Sequence, residues 1–377
     1  MTIPITPRPG CRHHFLLAAP ARRVTRRALA ARHPIHSDSF RMRLASVRSA
    51  FSRCFSAAAG PRLARACVGL SLALSANAHA AGFQRLNLPM DMNGPALLGG
   101  IWYPCAAPPQ EVGIGRVTLA ATPDCPMTEG RKPLIVMSHG SAGSYLGHHD
   151  TAAALADAGF VVAAINHVGD NAVDRSRQGY LSIFSTRPRE IRRLIDYLTG
   201  AWPQRAQLDG EVGFFGFSRG GYTGLVLAGA TPDFTRGLAI CGDEPSLPMC
   251  RDIRDGKVPA QPYVKDARIK ALVIADPLTA FSADALKAVS APVQLWASAL
   301  GGDGVTPASV EAVRQGLAAS EFHPVAGAGH FAFLAPCSAA QAEAMPAICR
   351  DAPGFDRAAW HRDFNAAVVA FFKTALR

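Results

Sequence analysis

Short apolar runs alternate with helix-like segments, and this alternation limits the folds open to the chain more than any other sequence feature. Residues 189–198, for example, place apolar side chains along one face of a helix. The strand-like runs cover residues 134–137, 160–165, 212–217, 271–275 and 293–297. We therefore predict an α/β protein with one mostly parallel sheet, helices on both faces, and a single domain over residues 81–377.

Residues 241–264 interrupt the alternation, because they are rich in Pro, Asp and Gly and have little periodicity. We expect a small insertion over the sheet edge. Six of the nine cysteines follow residue 80, and none forms a C-x-x-C pair. Pairing them by proximity in sequence predicts the disulfides Cys105–Cys125, Cys241–Cys250 and Cys337–Cys349, although 15 connectivities exist and six buried thiols are the alternative.

The formal net charge of +11 comes from the first part of the chain. Residues 1–80 hold 13 of the 39 basic residues and one of the 28 acidic residues, which leaves 26 basic and 27 acidic residues beyond them. The predicted domain is therefore close to neutral. We expect no nucleic-acid partner, since such binding depends on a basic surface.

Residues 1–80 have the pattern of a leader that ends in a secretory signal peptide. Arg62 and Arg65 precede the apolar run 66–76, and the small-residue signal 78–80 follows it. We expect cleavage after Ala80 and a secreted or periplasmic product, with Met42 as an alternative start. The run is too short for a stable membrane span. A basic arm on the mature protein is the other interpretation.

The segment Gly216-Phe217-Ser218-Arg219-Gly220 matches the G-x-S-x-G pattern, between a predicted strand and a Gly-rich helix start. This context is typical of a nucleophile elbow, in which a strained turn presents the serine hydroxyl. The sequence therefore predicts Ser218 as a nucleophile. A chance match to so short a pattern is the alternative.

Two further loops supply the groups that acyl transfer needs. Residues 138–141 follow a predicted strand, and the backbone N–H groups of Ser141 and Arg219 are the expected oxyanion donors. His330 lies in a Gly-rich loop late in the chain, where a general base occurs in this fold. A plain turn and a structural histidine are the respective alternatives.

The acid that orients His330 has two main candidates, and Asp243 is among the remaining ones. Asp303 follows the strand-like run 293–297, and Asp276 follows the preceding run 271–275. We choose Asp303 as the predicted catalytic acid, because a loop after such a late strand can reach the histidine, and keep Asp276 as the alternative.

Two other polar clusters could suggest a metal, namely residues 148–150 and residues 167–171. Adjacent histidines on a helix point in different directions, so we expect no metal site. We expect Asp150 to act locally, and His167 and Asp170 to line or brace the mouth of a pocket.

Three runs, residues 134–144, 216–221 and 327–337, resemble secreted bacterial α/β-hydrolases of the dienelactone-hydrolase-like group. They are more distantly similar to platelet-activating-factor acetylhydrolases. The resemblance extends from residue 102 to the last predicted helix. It implies an α/β-hydrolase fold and ester hydrolysis through Ser218 and His330. Dienelactone hydrolases use a cysteine nucleophile where this chain has Ser218, and the acetylhydrolases carry their acid after the earlier strand, at Asp276 here.

These patterns favour a secreted serine esterase that acts on a small-molecule ester and needs no cofactor. A phospholipid or lipid acyl hydrolase, with residues 241–264 as a lid, is the alternative within the enzyme class. A non-catalytic binding protein on the same fold is the alternative outside it. The sequence leaves the acyl length and the oligomeric state open.

Overall fold

A computed structural model describes residues 80–237, 241, 247–259 and 263–376. The predicted leader, with Met42 and the signal-peptide pattern, lies outside the described residues except for Ala80. In the described part of the chain, no helix is both long and apolar enough to cross a membrane.

Ten strands of the described residues form one sheet, in the order β10-β9-β8-β7-β5-β6-β2-β1-β4-β3. In chain order the strands are β1 Ala80–Leu88, β2 Leu97–Cys105, β3 Gln110–Ile114, β4 Val117–Pro123, β5 Lys132–Ser138, β6 Val161–Ile165, β7 Leu208–Phe217, β8 Ile269–Ala275, β9 Val293–Ser298 and β10 Glu321–Val325.

The part of the sheet from β6 to β10 is parallel, because each neighbouring pair among β6, β5, β7, β8, β9 and β10 runs in the same direction. This confirms the mostly parallel sheet predicted from the apolar runs. The β1–β2, β2–β6 and β3–β4 pairs are antiparallel. The carboxyl ends of β5, β7 and β8 meet at one edge, which is where open α/β sheets bind ligands.

Helices cover both faces of the sheet, as predicted. In chain order they are α1 His149–Asp157, α2 Ile183–Gly200, α3 Arg219–Leu227, α4 Pro248–Arg254, α5 Ala283–Leu286, α6 Pro307–Gly316, α7 Ala339–Ala344, α8 Pro346–Cys349 and α9 Arg357–Ala375. Short 3₁₀ helices cover Arg205–Gln207, Phe234–Gly237 and His330–Phe333.

Alternate residues of each buried strand belong to the two halves of the core. In β5, Leu134 and Val136 pack in the cluster that includes residues of α2 and α3. Ile135 and Met137 pack in the cluster that includes residues of α1 and α9. Both faces of the strand are therefore buried, which explains its continuous apolar sequence.

The three predicted disulfides are present: Cys105–Cys125, Cys241–Cys250 and Cys337–Cys349. The second of them closes the insertion, whose described part includes α4. The 12-residue separation of Cys337 and Cys349 corresponds to about 3 kcal/mol of stabilisation if loop entropy dominates.

Candidate active site

Ser218 lies in a sharp turn between the end of β7 and the start of α3. Its backbone has a φ of 56° and a ψ of −118°, a conformation that few non-glycine residues adopt and that costs about 1–3 kcal/mol. The side chain is only 5% exposed. The turn is thus the strained strand-to-helix elbow that the G-x-S-x-G pattern predicts.

The flanking glycines are required by close packing at this turn. A Cβ atom on Gly216 would lie 2.4 Å from the carbonyl oxygen of Gly220. A Cβ atom on Gly220 would lie 1.8 Å from the carbonyl oxygen of Ser138, at the end of β5. Only glycine at both positions lets the elbow sit directly against the neighbouring strand.

His330 begins the 3₁₀ helix His330–Phe333, and its Nδ1 lies 2.9 Å from Oδ2 of Asp276. The histidine is 2% exposed and the aspartate is fully buried. The carboxylate of Asp276 also accepts hydrogen bonds from the backbone N–H of Ser298, at 2.7 Å, and from the Ser298 hydroxyl. These bonds fix the carboxylate and, through it, the orientation of the imidazole.

The turn that carries Ser218 is bonded to the backbone on both sides of Asp276. The Ser218 N–H donates to the carbonyl of Ala275 at 2.9 Å, and its carbonyl accepts from the N–H of Leu278 at 3.0 Å. The ring of His330 packs against Phe217, with 4.6 Å between ring centroids. The sheet edge therefore brings the serine, the histidine and the aspartate to one region.

No hydrogen bond joins the Ser218 hydroxyl to His330 in the structure. The Nε2 atom of His330 is buried and has no hydrogen-bond partner within the described residues. Such a contact often tightens only when substrate binds. Nε2 is therefore free to take a proton.

The predicted pairing of Asp303 with His330 is wrong in the structure, which pairs His330 with Asp276 instead. Asp303 and Gly304 form a two-residue turn between Gly302 and Val305, whose N–H and carbonyl groups bond each other at 2.9 Å in both directions. Both turn residues have positive φ, 49° and 81°. Asp-Gly is a preferred sequence for such a turn, so the backbone conformation explains an exposed aspartate at this position.

The two expected oxyanion donors lie at the same edge. Arg219 is the first residue of α3, where helical N–H groups lack partners within the helix. Ser141 follows β5 and lines the same cleft as Ser218. The backbone N–H groups of Ser141 and Arg219 donate no hydrogen bond to any described residue.

Below these amides lies a buried charge cluster. Oδ2 of Asp170 is 2.9 Å from the guanidinium of Arg187 and 2.7 Å from that of Arg219. Burial alone would raise the pKa of Asp170, but the two positive charges lower it below its usual value. Asp170 is therefore an anion shared by two arginines, and the prediction that it braces the pocket mouth agrees with its position.

A series of hydrogen bonds between buried side chains lies beside this cluster. Ser138 Oγ is 2.8 Å from Nε2 of His167, whose Nδ1 is 2.7 Å from the carboxyl of Glu190. Burial lowers the pKa of His167 well below its usual value, and the charge of Arg187 lowers it further. Burial raises the pKa of Glu190 to about 7. His167 is therefore neutral, and it supports the strand end rather than the cleft.

Polar residues at the N-terminus of α1 and in α9 hold the segment that carries His330. His148 Nδ1 donates to the carbonyl of Phe333 at 3.0 Å, and His361 Nε2 donates to the carbonyl of Ala332 at 2.8 Å. The Nδ1 of His361 lies 2.6 Å from Asp150. In the part of the chain that the structure describes, no group of three or more His, Cys, Asp or Glu is arranged to hold a metal ion.

Ser218 opens onto a cleft of about 410 Å³, whereas His330 borders a smaller cavity of about 140 Å³. The cleft has polar residues on the side of the β5 loop and apolar residues from the insertion. Its lining consists of Ser141, Arg175, Gln178, Gly179, Ser218, Arg219, Leu247, Met249, Leu278, Asp303 and Gly304. Leu247 and Met249 belong to residues 241–264, so the predicted insertion forms part of the cleft wall.

Comparison with known proteins agrees with this architecture. Residues 129–265 match the family model described as serine aminopeptidase, S33. Among solved structures, the chain is similar to a ferulic acid esterase from Streptomyces cinnamoneus, with a TM-score of 0.55, 17% sequence identity, and coverage of 81% of this chain and 92% of that chain. No curated protein sequence matches the chain significantly. The mostly parallel sheet, the elbow and this likeness establish the α/β-hydrolase fold.

Proposed function

We propose that this protein is a serine carboxylic ester hydrolase whose catalytic groups are Ser218, His330 and Asp276. One observation carries the proposal. The strained turn at Ser218 is hydrogen-bonded to the backbone on both sides of Asp276, and the carboxylate of Asp276 holds Nδ1 of a buried His330 whose Nε2 is free. Nucleophile, base and orienting acid follow the chain order typical of this fold.

The reaction proceeds in two stages in this proposal. Ser218 Oγ attacks the ester carbonyl carbon while His330 Nε2 takes the hydroxyl proton, and the N–H groups of Ser141 and Arg219 stabilise the oxyanion. The carbon–alkoxide bond then breaks, and His330 gives its proton to the departing alcohol. Water, deprotonated by His330, attacks the acyl-enzyme and releases the acid and Ser218. Asp276 orients the imidazole through its hydrogen bond to Nδ1.

The match to a serine aminopeptidase model and the likeness to a ferulic acid esterase both support a hydrolase. The finer resemblance to secreted dienelactone-hydrolase-like proteins belongs to the same proposal. Three disulfides support a secreted or periplasmic location, because such bonds persist in oxidising compartments.

The apolar wall from the insertion favours a second candidate, a lipid acyl hydrolase. Leu247 is 44% exposed, and it lines the cleft together with Met249. These two side chains give the cleft an apolar wall that an acyl chain of a lipid can contact. This candidate uses the same catalytic groups and differs only in the form of the substrate.

A panel of substrates tests the proposal. The purified mature protein is offered p-nitrophenyl esters of graded acyl length, aminoacyl p-nitroanilides, and phosphatidylcholine vesicles. We expect hydrolysis of the monomeric esters, with the highest kcat/KM identifying the acyl length. Hydrolysis of the anilides alone would assign an amidase, and activity confined to vesicles would assign the lipid hydrolase. No turnover of any class would support a non-catalytic binding protein.

A further inference from the structure

Arg187 is a fully buried arginine of α2 whose guanidinium donates hydrogen bonds to the loop after β5. Its Nη1 donates to the carbonyl of His139 at 2.7 Å. Its Nη2 donates to the carbonyl of Gly140 at 2.9 Å. The side chain thus holds two successive carbonyls of the loop that leads to Ser141.

This anchoring fixes the direction of the Ser141 N–H. The carbonyl of Gly140 and the N–H of Ser141 belong to the same planar, trans peptide unit, in which the two groups point in opposite directions. Since Arg187 draws the Gly140 carbonyl into the protein, the Ser141 N–H points away from Arg187. The imidazole Nδ1 of His139 also donates to the Gly140 carbonyl, at 2.7 Å, so rotation of this peptide would break at least two hydrogen bonds.

Asp170 holds the other side of the same loop and links it to the elbow. Its Oδ1 accepts from the N–H of Ala142 at 3.1 Å and from the Ser141 hydroxyl at 3.5 Å. Its Oδ2 contacts Arg187 and Arg219. One carboxylate therefore contacts both chain segments that supply the expected oxyanion donors.

Arg187 differs from an arginine that only holds a loop, because the carbonyl it binds belongs to the same peptide unit as the N–H of a cleft residue, Ser141. A buried ion pair often adds little stability relative to apolar residues of similar volume, because desolvation offsets the attraction. Loops are also held elsewhere without contact to the cleft: Arg193, on the same helix, donates to the carbonyls of Pro89, Gly94 and Pro95 and pairs with Asp91. Arg193 is thus a matched comparison for Arg187.

We infer that Arg187 and Asp170 form a positioning pair that orients the Ser141 amide toward the oxyanion of the transition state. The inference rests on the proposed function, since it assigns a role within the same ester hydrolysis. The pair does not touch the reacting atoms in this assignment. It acts through the peptide between Gly140 and Ser141.

The test compares Arg187→Lys with Arg193→Lys. Lysine keeps the charge but lacks the guanidinium fork that reaches two carbonyls. Loss of an oxyanion donor lowers kcat by about 10²–10³, so a misdirected Ser141 amide should lower kcat of Arg187→Lys by about 10-fold to 100-fold, with KM within about threefold of wild type. Arg193→Lys should keep kcat within about threefold, even if its Tm falls equally.

Two inhibitors separate oxyanion stabilisation from general damage. An aryl trifluoromethyl ketone forms a hemiketal oxyanion on the nucleophile, whereas the matching methyl ketone binds without that charge. Arg187→Lys should lower the affinity for the trifluoromethyl ketone by the same factor as kcat/KM, because the oxyanion donors act on the transition state. The affinity for the methyl ketone should stay unchanged. An equal loss of affinity for both ketones would overturn the inference, and so would an unchanged kcat in Arg187→Lys.

Concentrations are normalised by titrating Ser218 with a fluorophosphonate, so that only folded sites are counted. If Arg187→Lys does not fold, Asp170→Asn decides the question, because it keeps an acceptor for the Ala142 N–H and loses both ion pairs. It should show the same selective loss of trifluoromethyl ketone binding. Wild-type protein that is not labelled at Ser218 would refute the proposed function, whereas normal labelling with no effect of either variant would refute the positioning pair alone.

Discussion

The carboxylate of Asp276 holds Nδ1 of His330 at 2.9 Å, and both groups are almost completely buried. Ser298 supplies two further hydrogen bonds to the same carboxylate. Because the carboxylate of Asp276 accepts a hydrogen bond from Nδ1, it favours the tautomer with the proton on Nδ1, and Nε2, which has no partner among the described residues, is the acceptor.

This pairing predicts opposite effects of asparagine substitution at Asp276 and Asp303, although both aspartates follow predicted strands. Asp276→Asn should lower kcat by about 10³–10⁴, because a neutral amide no longer stabilises the imidazolium. Asp303→Asn should leave kcat within about threefold of wild type, since an exposed asparagine keeps the turn. Steady-state kinetics with a p-nitrophenyl ester decides between them. If Asp303→Asn is the crippled variant, Asp276 is not the catalytic acid.

The elbow should not tolerate a side chain at Gly220. Gly220→Ala places a Cβ 1.8 Å from the Ser138 carbonyl, so we expect a loss of about 3 kcal/mol or more in the free energy of unfolding. Gly113→Ala is the control, because a Cβ there meets nothing within 4 Å and should change stability by at most about 0.5 kcal/mol. Urea unfolding measures both. Equal stability of the two variants would contradict the close approach of α3 to β5.

His148 should make the protein sensitive to acid. Burial lowers its pKa from 6.5 to about 4, so between these values the unfolded chain binds a proton that the folded chain does not. The resulting stability is present above about pH 6.5 and is lost as the pH falls toward 4, on the order of 3 kcal/mol. His148→Asn, which keeps a donor for the Phe333 carbonyl, should flatten this part of the curve of unfolding free energy against pH. An unchanged slope would show that His148 does not carry it.

The disulfide Cys337–Cys349 should stabilise the segment after His330. Replacing both cysteines with serine should lower the free energy of unfolding by about 3 kcal/mol with little change in kcat. Thiol counting on the unfolded, unreduced wild type should find no free thiol among the six cysteines after residue 80. Free thiols there would contradict both the disulfide pairing and an oxidising location.

The sequence predicts the groups whose chemistry depends on local pattern. Ser218 is recognisable because the elbow needs glycines at fixed positions between a strand and a helix. The parallel part of the sheet is recognisable because its strands are buried on both faces. The sequence does not predict strand β3, since it is largely exposed and lacks a continuous apolar run.

The orienting groups depend on contacts that no local pattern reveals. Asp303 and Asp276 both follow predicted strands, and Asp276 contacts a histidine that lies 54 positions further along the chain. Arg187 lies in a helix rich in charged residues, 47 positions from Gly140. Its burial follows from the packing of α2 on the sheet, so the sequence gives no signal that separates it from the exposed arginines beside it.

The most direct test of Ser218 as the nucleophile is Ser218→Ala, measured by ester hydrolysis and by intact mass after fluorophosphonate treatment. We predict a fall in kcat of at least about 10⁴, no covalent adduct, and a Tm close to that of wild type, whose own adduct maps to Ser218. Ester hydrolysis at the wild-type rate by the folded Ser218→Ala protein would contradict the proposed catalytic role.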